Sequence, residues 1–153
     1  MNIKIISKNR SAWHNFHILE KYEAGIVLHG SEVKALREGK ANLKQSYIRF
    51  FSNELFIVGL HIGEYSNKGY LSHISVKDRK LLLHRKELKK LNGKIVVKGN
   101  TLIPLTMYFK NNLVKVEFAL SKGKKLYDKR KSKMDKDVSR QLDRELKGRL
   151  KND

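Results

Sequence analysis

The segment from residue 16 to residue 28 alternates apolar and polar side chains, and this pattern is the strongest constraint on the fold. Apolar residues occupy the even positions from Phe16 to Leu28, with Glu20 as the one exception. Successive side chains of a β-strand point to opposite faces, so the spacing predicts a half-buried strand. We expect Phe16 to lie in the core and Glu23, on the other face, to be exposed.

Five further short segments have the composition of strands, and they cover residues 46–51, 54–62, 94–99, 101–110 and 113–121. Ser52-Asn53 and Asn111-Asn112 separate two pairs of them. Asparagine tolerates a positive φ, so these dipeptides predict hairpin turns. Pro104 has no amide hydrogen to donate within a sheet, and we expect it at an edge or a bulge.

Two segments have a helical period instead. Residues 30–40 predict a helix with Ser31 as its N-cap and Gly39 as its stop, and residues 80–93 predict a second helix. Residues 63–72 predict an exposed loop. Short strands, two short helices and tight turns predict a mainly β fold, a small closed antiparallel barrel of the OB type. Such a barrel suits this length and the binding of oligonucleotides.

A dense basic segment, KGKKLYDKRKSK, follows the last predicted strand at residues 122–133. It predicts a barrel domain over residues 1–121 and a basic tail over 122–153, with a hinge at 122–133. Ser132-x-x-Asp135 resembles a capping box. An apolar stripe recurs every fourth residue at Met134, Val138, Leu142, Leu146 and Leu150. An isolated helix of this length is marginal in water, so we expect a tail that is disordered when free and helical when bound.

The formal net charge of +19 is larger than solubility requires, and a polyanionic partner is the simplest explanation for it. Residues 1–120 carry 21 basic and 9 acidic side chains, and residues 121–153 carry 13 and 6. Both parts therefore suit phosphate, and the predicted partner is RNA. The absence of cysteine excludes disulfides and cysteine zinc sites and fits a reducing cytosol. No signal peptide or membrane span is predicted, so we expect a cytoplasmic protein.

The histidines raise the possibility of an enzyme. His14-x-x-His17 has a spacing that suits zinc on a helix, but on an extended segment the two imidazoles point to opposite faces. A small RNA-processing nuclease built from His14, His17 and Glu23 lacks visible metal ligands. We therefore predict no catalytic residues, no metal and no cofactor. The nuclease stays open as an alternative, as does a generic ribosome-associated OB protein.

Four segments, at residues 9–47, 79–88, 105–117 and 122–130, together resemble the SmpB family, the SsrA-binding proteins of bacterial trans-translation. The most specific combination is EAGIVLHGSEVK followed by GKANL, with GKKLYDKR far downstream. The resemblance implies an OB-type barrel that binds the tRNA-like domain of tmRNA and catalyses nothing. It also implies that the protein and tmRNA together occupy the vacant A site of a stalled ribosome. There the tail probes the empty mRNA channel, and the incomplete peptide is tagged. We expect a monomer.

The resemblance assigns two sets of site residues. The tmRNA-binding positions would be Asn9, Arg10, His14, Glu23, Leu82 and Lys115. The ribosome-binding positions in the tail hinge would be Gly123, Lys124, Lys125, Tyr127, Asp128, Lys129 and Arg130. The sequence departs from the family pattern at Trp13, where many members have arginine, and at Tyr127, where some have histidine. Trp13 removes one cation and adds a stacking surface.

Overall fold

The computed structural model describes residues 2–67, 69–70 and 72–149. Two compact units divide the chain, Met1–Gly123 and Lys124–Asp153. The elements of the first unit are β1 (Ile3–Lys8), α1 (Arg10–Asn15), β2 (Phe16–Ile26), α2 (Gly30–Arg37), β3 (Ala41–Asn42), β4 (Tyr47–Phe51), β5 (Glu54–Val58), β6 (His61–Ile62), β7 (Arg79–Leu82), α3 (Arg85–Ile95), β8 (Asn100–Lys110) and β9 (Leu113–Gly123). The second unit contains α4 (Leu126–Arg149).

Six antiparallel strands of the first unit form a closed ring. Their hydrogen-bonded order is β8-β4-β5-β7-β2-β9, and β9 pairs in turn with β8. The edge strand β1 adds to β8 from outside the ring, and β3 and β6 form a separate two-stranded sheet. The predicted mainly β fold and its antiparallel pairing are confirmed, and the ring of pairings closes the barrel.

The core lies inside this ring and joins it to the helices. Leu36 of α2 and Leu91 of α3 pack there with Leu55, Leu102 and Phe118 from the strands, and all five are fully buried. A smaller cluster lies on the outer face beneath α1, where Ala12 packs against Ile103, Leu105 and Ala119. Phe16 belongs to the edge of this smaller cluster and is partly buried.

The predicted turns are confirmed by their backbone conformation. Ser52 and Asn53 have φ of 47° and 62°, and Asn111 and Asn112 have 50° and 66°. Two consecutive positive φ values match a type I′ hairpin, whose twist suits the flanking strands. The register of β8 against β9 shifts just after Pro104, so the proline lies at the predicted irregularity.

The second predicted helix is wrong over its first residues. Lys80–Leu82 belong to strand β7, because Leu81 pairs with β5 and fills the core while its neighbours face outward. The helix α3 then runs on to Ile95, so the predicted strand at 94–99 is also wrong. Val96 and Val97 follow the helix and are 80% and 54% exposed. The residues from Ile95 to Val97 favour a strand, but the packing of Leu91 in the core stabilises the helix at this point.

Two elements near the start of the chain were not predicted, the strand β1 and the short helix α1. The structure therefore has three short helices in the first unit where the sequence predicted two. The N-cap of α2 is His29 rather than Ser31, and it shares a capping box with Glu32. Gly39 follows this helix with φ of 76°, a left-handed conformation that favours glycine, and the predicted stop is confirmed.

A buried ion pair holds α2 to the barrel. The Arg79 Nε donates to Glu32 Oε1 at 2.9 Å, and both side chains are almost completely buried. The Arg79 guanidinium also donates to four backbone carbonyls, among them that of Leu60 at 2.8 Å. Burial opposes the charge on Glu32, but the His29 amide and the Arg79 guanidinium outweigh it and hold the pKa of Glu32 below its usual value.

The second unit is a helix whose start differs from the prediction. Helix α4 begins at Leu126, so Ser132 lies inside it and the predicted capping box at Ser132-x-x-Asp135 is wrong. The carboxylate at the start of α4 is instead that of Asp128, seven residues earlier, and it accepts from the Lys125 amide at 3.2 Å. Whether the free tail is disordered stays a prediction, and Leu150 of its apolar stripe lies outside the described residues, as do Lys68 and Leu71 of the predicted loop.

No helix within the described residues is both long and apolar enough to cross a membrane.

Candidate RNA-binding surface

Three of the six predicted tmRNA-binding residues line one open groove of the first unit. Glu23 contributes from β2, Leu82 from the end of β7 and Lys115 from β9. The groove has a volume of about 910 Å³, and its wall continues onto the first turns of α3 through His84, Glu87 and Lys90. Charged side chains of both signs therefore surround an apolar residue, Leu82.

Strand alternation explains why these side chains face the groove. Ala24 and Val116 are fully buried, so their neighbours Glu23 and Lys115 point away from the core. The register brings the two residues close, because Ala24 pairs with Val116 and Gly25 pairs with Lys115. The predicted outward orientation of both residues is confirmed.

Leu82 lies opposite Gly25 in the pairing of β7 with β2, and half of its surface is exposed. Its neighbour Leu81 is 1% exposed and fills the core. A Cβ built on Gly25 would lie 3.4 Å from the Leu82 Cβ, so the leucine side chain occupies the space beside the glycine. The three consecutive leucines thus divide between the core and the groove, and Leu82 offers the groove an apolar surface.

The Glu23 carboxylate is held from β8. The Tyr108 hydroxyl donates to Glu23 Oε2, and the Lys110 ammonium lies 3.1 Å from both carboxylate oxygens. The Tyr108 hydrogen bond is the main reason that the pKa of Glu23 lies below its usual value, and Lys110 and Lys115 lower it further. Burial, together with the bond to Glu23, raises the pKa of Tyr108. Glu23 is therefore a fixed, charged acceptor.

The other three predicted tmRNA-binding residues lie on or beside α1, away from the groove lining. Asn9 is the N-cap residue of α1 and is only 6% exposed, and its side chain donates to the Pro104 carbonyl at 3.0 Å. Arg10 and His14 are exposed on the helix. The structure thus gives Asn9 a task within the fold, the anchoring of α1 to β8.

Trp13 adds a flat surface to this region. It is 47% exposed, and the Lys21 ammonium lies 4.8 Å from the centre of its ring. Lys21 also pairs with Glu117 at 3.2 Å, so the ring and the ammonium are connected to the outer face of β9. A cation beside an exposed aromatic ring suits both a phosphate and a stacked base.

The predicted hinge motif spans three kinds of structure. Gly123 ends β9, Lys124 and Lys125 connect the elements, and the remaining residues Tyr127, Asp128, Lys129 and Arg130 lie in the first turns of α4. The Lys124 ammonium lies 3.1 Å from the Ser132 hydroxyl. Tyr127 is 74% exposed. The motif is thus the connection and the start of the tail helix.

The sequence model of a protein family described as "SmpB protein" matches residues 6–148 of this chain. The chain belongs to the SmpB family. It is 47% identical over 151 residues to the SsrA-binding protein of Persephonella marina, across 99% of both chains. It is 53% identical over 146 residues to that of Syntrophobacter fumaroxidans, across 95% of this chain and 91% of the relative.

A solved structure reported under "tmRNA-SmpB: a journey to the center of the bacterial ribosome" matches at 46% identity and a TM-score of 0.65. The match covers 78% of this chain and 84% of the other. The predicted membership of the SmpB family is therefore confirmed by sequence and by structure.

The three side chains named for a nuclease, His14, His17 and Glu23, do not share one site in this member of the SmpB family. His14 lies on α1 and His17 near the start of β2, so the predicted extended segment is wrong for His14. His17 and Glu23 are six positions apart on one strand, which separates them by roughly 20 Å. Within the described residues no group of three or more His, Cys, Asp and Glu side chains could hold a metal ion.

Sequence reasoning missed Tyr108 and Lys110, which hold Glu23, the one acidic residue among the predicted tmRNA-binding positions. Both lie on β8 beside the buried Met107 and Phe109, so alternation alone could have placed them on the outer face. Their contact with Glu23 depends on the register across β9, where Tyr108 pairs with Lys115 and Glu117 pairs with Glu23. That register is not visible in the sequence.

Proposed function

We propose that this protein is a non-enzymatic RNA-binding protein of ribosome rescue. Its barrel binds the tRNA-like domain of tmRNA and brings it to the A site of a stalled ribosome. The tail then probes the empty mRNA channel, and trans-translation tags the incomplete peptide. One observation carries the proposal: in a chain of the SmpB family, the groove holds Glu23, Leu82 and Lys115 together.

The chemistry of the groove supports recognition of folded RNA. Lys115 supplies a charge for phosphate, Leu82 an apolar contact for a ribose or base, and Glu23 an acceptor for a base amino or imino group. A carboxylate repels phosphate, so Glu23 adds selectivity rather than general affinity. The matched relatives are SsrA-binding proteins, and the matched structure concerns tmRNA, SmpB and the bacterial ribosome.

The exposed residues of α1 and the tail have further tasks in this proposal. Arg10, His14 and Trp13 on α1 extend the tmRNA-binding surface beyond the groove, and Asn9 contributes by holding α1 in place. The hinge motif from Gly123 to Arg130 contacts the ribosome. A protein with this task works in the cytoplasm, and we expect it to be a monomer.

Competition binding tests the proposal directly. Labelled tRNA-like domain of tmRNA is bound to the purified protein, and unlabelled tmRNA is compared with an equal mass of ordinary tRNA as competitor. The proposal predicts that tmRNA competes far better. Equal competition would leave only a generic RNA-binding protein of the ribosome.

A cleavage assay separates the binding protein from an enzyme. Labelled RNA is incubated with the purified protein and Mg²⁺ or Mn²⁺, next to the His14→Ala variant. The proposal predicts intact RNA in both reactions. Cleavage by the unchanged protein that the substitution removes would establish a nuclease.

A further inference from the structure

The Glu23 carboxylate has few acceptor positions left for a ligand. An ionised carboxylate offers about four acceptor positions. The Tyr108 hydroxyl and the Lys110 ammonium together take up three of them, two on Oε2 and one on Oε1. About one position therefore remains, on Oε1. Glu23 itself is partly exposed and lines the groove, so a donor from outside can reach it.

Tyr108 is built into the barrel far more firmly than Glu23. It is only 8% exposed, and its neighbours Met107 and Phe109 pack in the core and anchor the strand on either side of it. The Tyr108 hydroxyl therefore has one position relative to the sheet, and the carboxylate that accepts from it is fixed in turn. Lys110, two residues further on the same strand, adds a second contact, with its ammonium 3.1 Å from both oxygens of the carboxylate.

We propose that Tyr108 and Lys110 are positioning residues, which fix Glu23 so that its remaining acceptor selects an RNA with an exposed base N–H donor in the groove. This inference rests on the proposed function and adds the source of its selectivity. A free glutamate on a strand has several rotamers, and ordering it on binding has an entropic cost. The contacts from β8 remove most of that cost before the RNA arrives. An RNA that presents phosphates alone meets a fixed negative charge and is disfavoured.

The test is a double-mutant cycle on RNA binding. The variants are Tyr108→Phe, Glu23→Ala and the two combined, and fluorescence anisotropy gives the Kd for the tRNA-like domain of tmRNA. Loss of one hydrogen bond to a charged, partly exposed group predicts about five- to tenfold weaker binding for Tyr108→Phe. In the Glu23→Ala background the same substitution should change the Kd less than twofold.

Two controls separate positioning from folding. Tyr47→Phe removes a hydroxyl from another strand, outside the groove lining, and should leave the Kd unchanged. Glu23→Gln keeps the size of the side chain, replaces one acceptor with a donor, and should weaken binding at least as much as Tyr108→Phe. Both groove variants should leave the slope of log Kd against log salt unchanged, because neither removes a cation.

The outcomes are distinct. An equal loss from Tyr108→Phe with and without Glu23 would show a general structural role and overturn the inference. No loss from Tyr108→Phe in the otherwise unchanged protein would overturn it as well. Both results leave the proposed function intact if the unchanged protein still prefers tmRNA to tRNA. Equal affinity of the unchanged protein for the two RNAs would overturn the proposed function itself.

Discussion

The barrel unit and the tail unit use apolar residues in opposite ways. In the barrel, Leu36, Leu91 and Phe118 are fully buried between strands and helices. In the tail, Met134 and Leu142 are 67% and 55% exposed along α4. A barrel with a closed core can present a fixed groove, whereas a helix with an exposed stripe needs a partner to stabilise it. From this difference we propose that the barrel binds RNA selectively and that the tail acts together with a partner.

The largest effect should come from removal of the tail. A chain that ends at Arg130 loses most of α4, and with it eight basic and five acidic side chains. We expect peptide tagging on stalled ribosomes to be abolished. A reconstituted translation reaction with tmRNA and a truncated message, read by labelled peptide on a gel, measures this. Tagging at the full level would contradict the division of labour between the two units.

A pair of substitutions tests the difference in packing. Phe118 is fully buried and stacks on Tyr22 with ring centres 5.5 Å apart, so Phe118→Ala should lower the free energy of unfolding by about 3–5 kcal/mol. Leu142→Ala in the tail should change it by less than about 0.5 kcal/mol. Urea denaturation followed by tryptophan fluorescence measures both. A large loss from Leu142→Ala would show that the stripe is packed in the free protein.

The charges of the two units should differ in their effect on tmRNA binding. Lys115→Ala removes a cation from the groove and should lower the slope of log Kd against log salt by about 0.7–0.9. Lys147→Ala removes a cation from α4 and serves as the matched control, with no change in the slope expected. Anisotropy titrations at several salt concentrations distinguish the two. The same slope change for both would place the tail on the tRNA-like domain.

The smallest signal should come from the isolated tail. An isolated helix of this length is marginal in water, and the ion pair between Arg140 and Asp137 in α4, at 3.9 Å, is exposed and adds little. We expect low helicity in water and a gain on addition of ribosomal RNA. Circular dichroism measures both, and strong helicity in the free peptide would refute the predicted disorder.

Much of the barrel was predictable because alternation and turn chemistry act locally. The strand from Phe16, the two asparagine hairpins and the irregularity at Pro104 all follow from such patterns. The errors arose where tertiary packing determined the secondary structure. Leu81 belongs to a segment with a helical pattern but lies in strand β7, and Val96 has strand propensity but follows a helix.

The candidate site was predictable to the same limit. Alternation placed Glu23 and Lys115 on the outer face, and the resemblance to the SmpB family selected them from among other exposed residues. Neither showed that Asn9 is buried, because this depends on the packing of α1 against β8. Neither revealed Tyr108, since its contact with Glu23 crosses a strand.

We propose that the barrel holds tmRNA and that the tail does not. The most direct measurement compares two proteins for their Kd toward the tRNA-like domain at one salt concentration. One protein ends at Arg130, and the other is full length with Glu23→Ala and Lys115→Ala combined. For the truncated chain we expect a Kd within about threefold of that of the unchanged protein. For the double variant we expect binding at least about tenfold weaker. The reverse order, with binding lost on truncation and retained in the double variant, would contradict it.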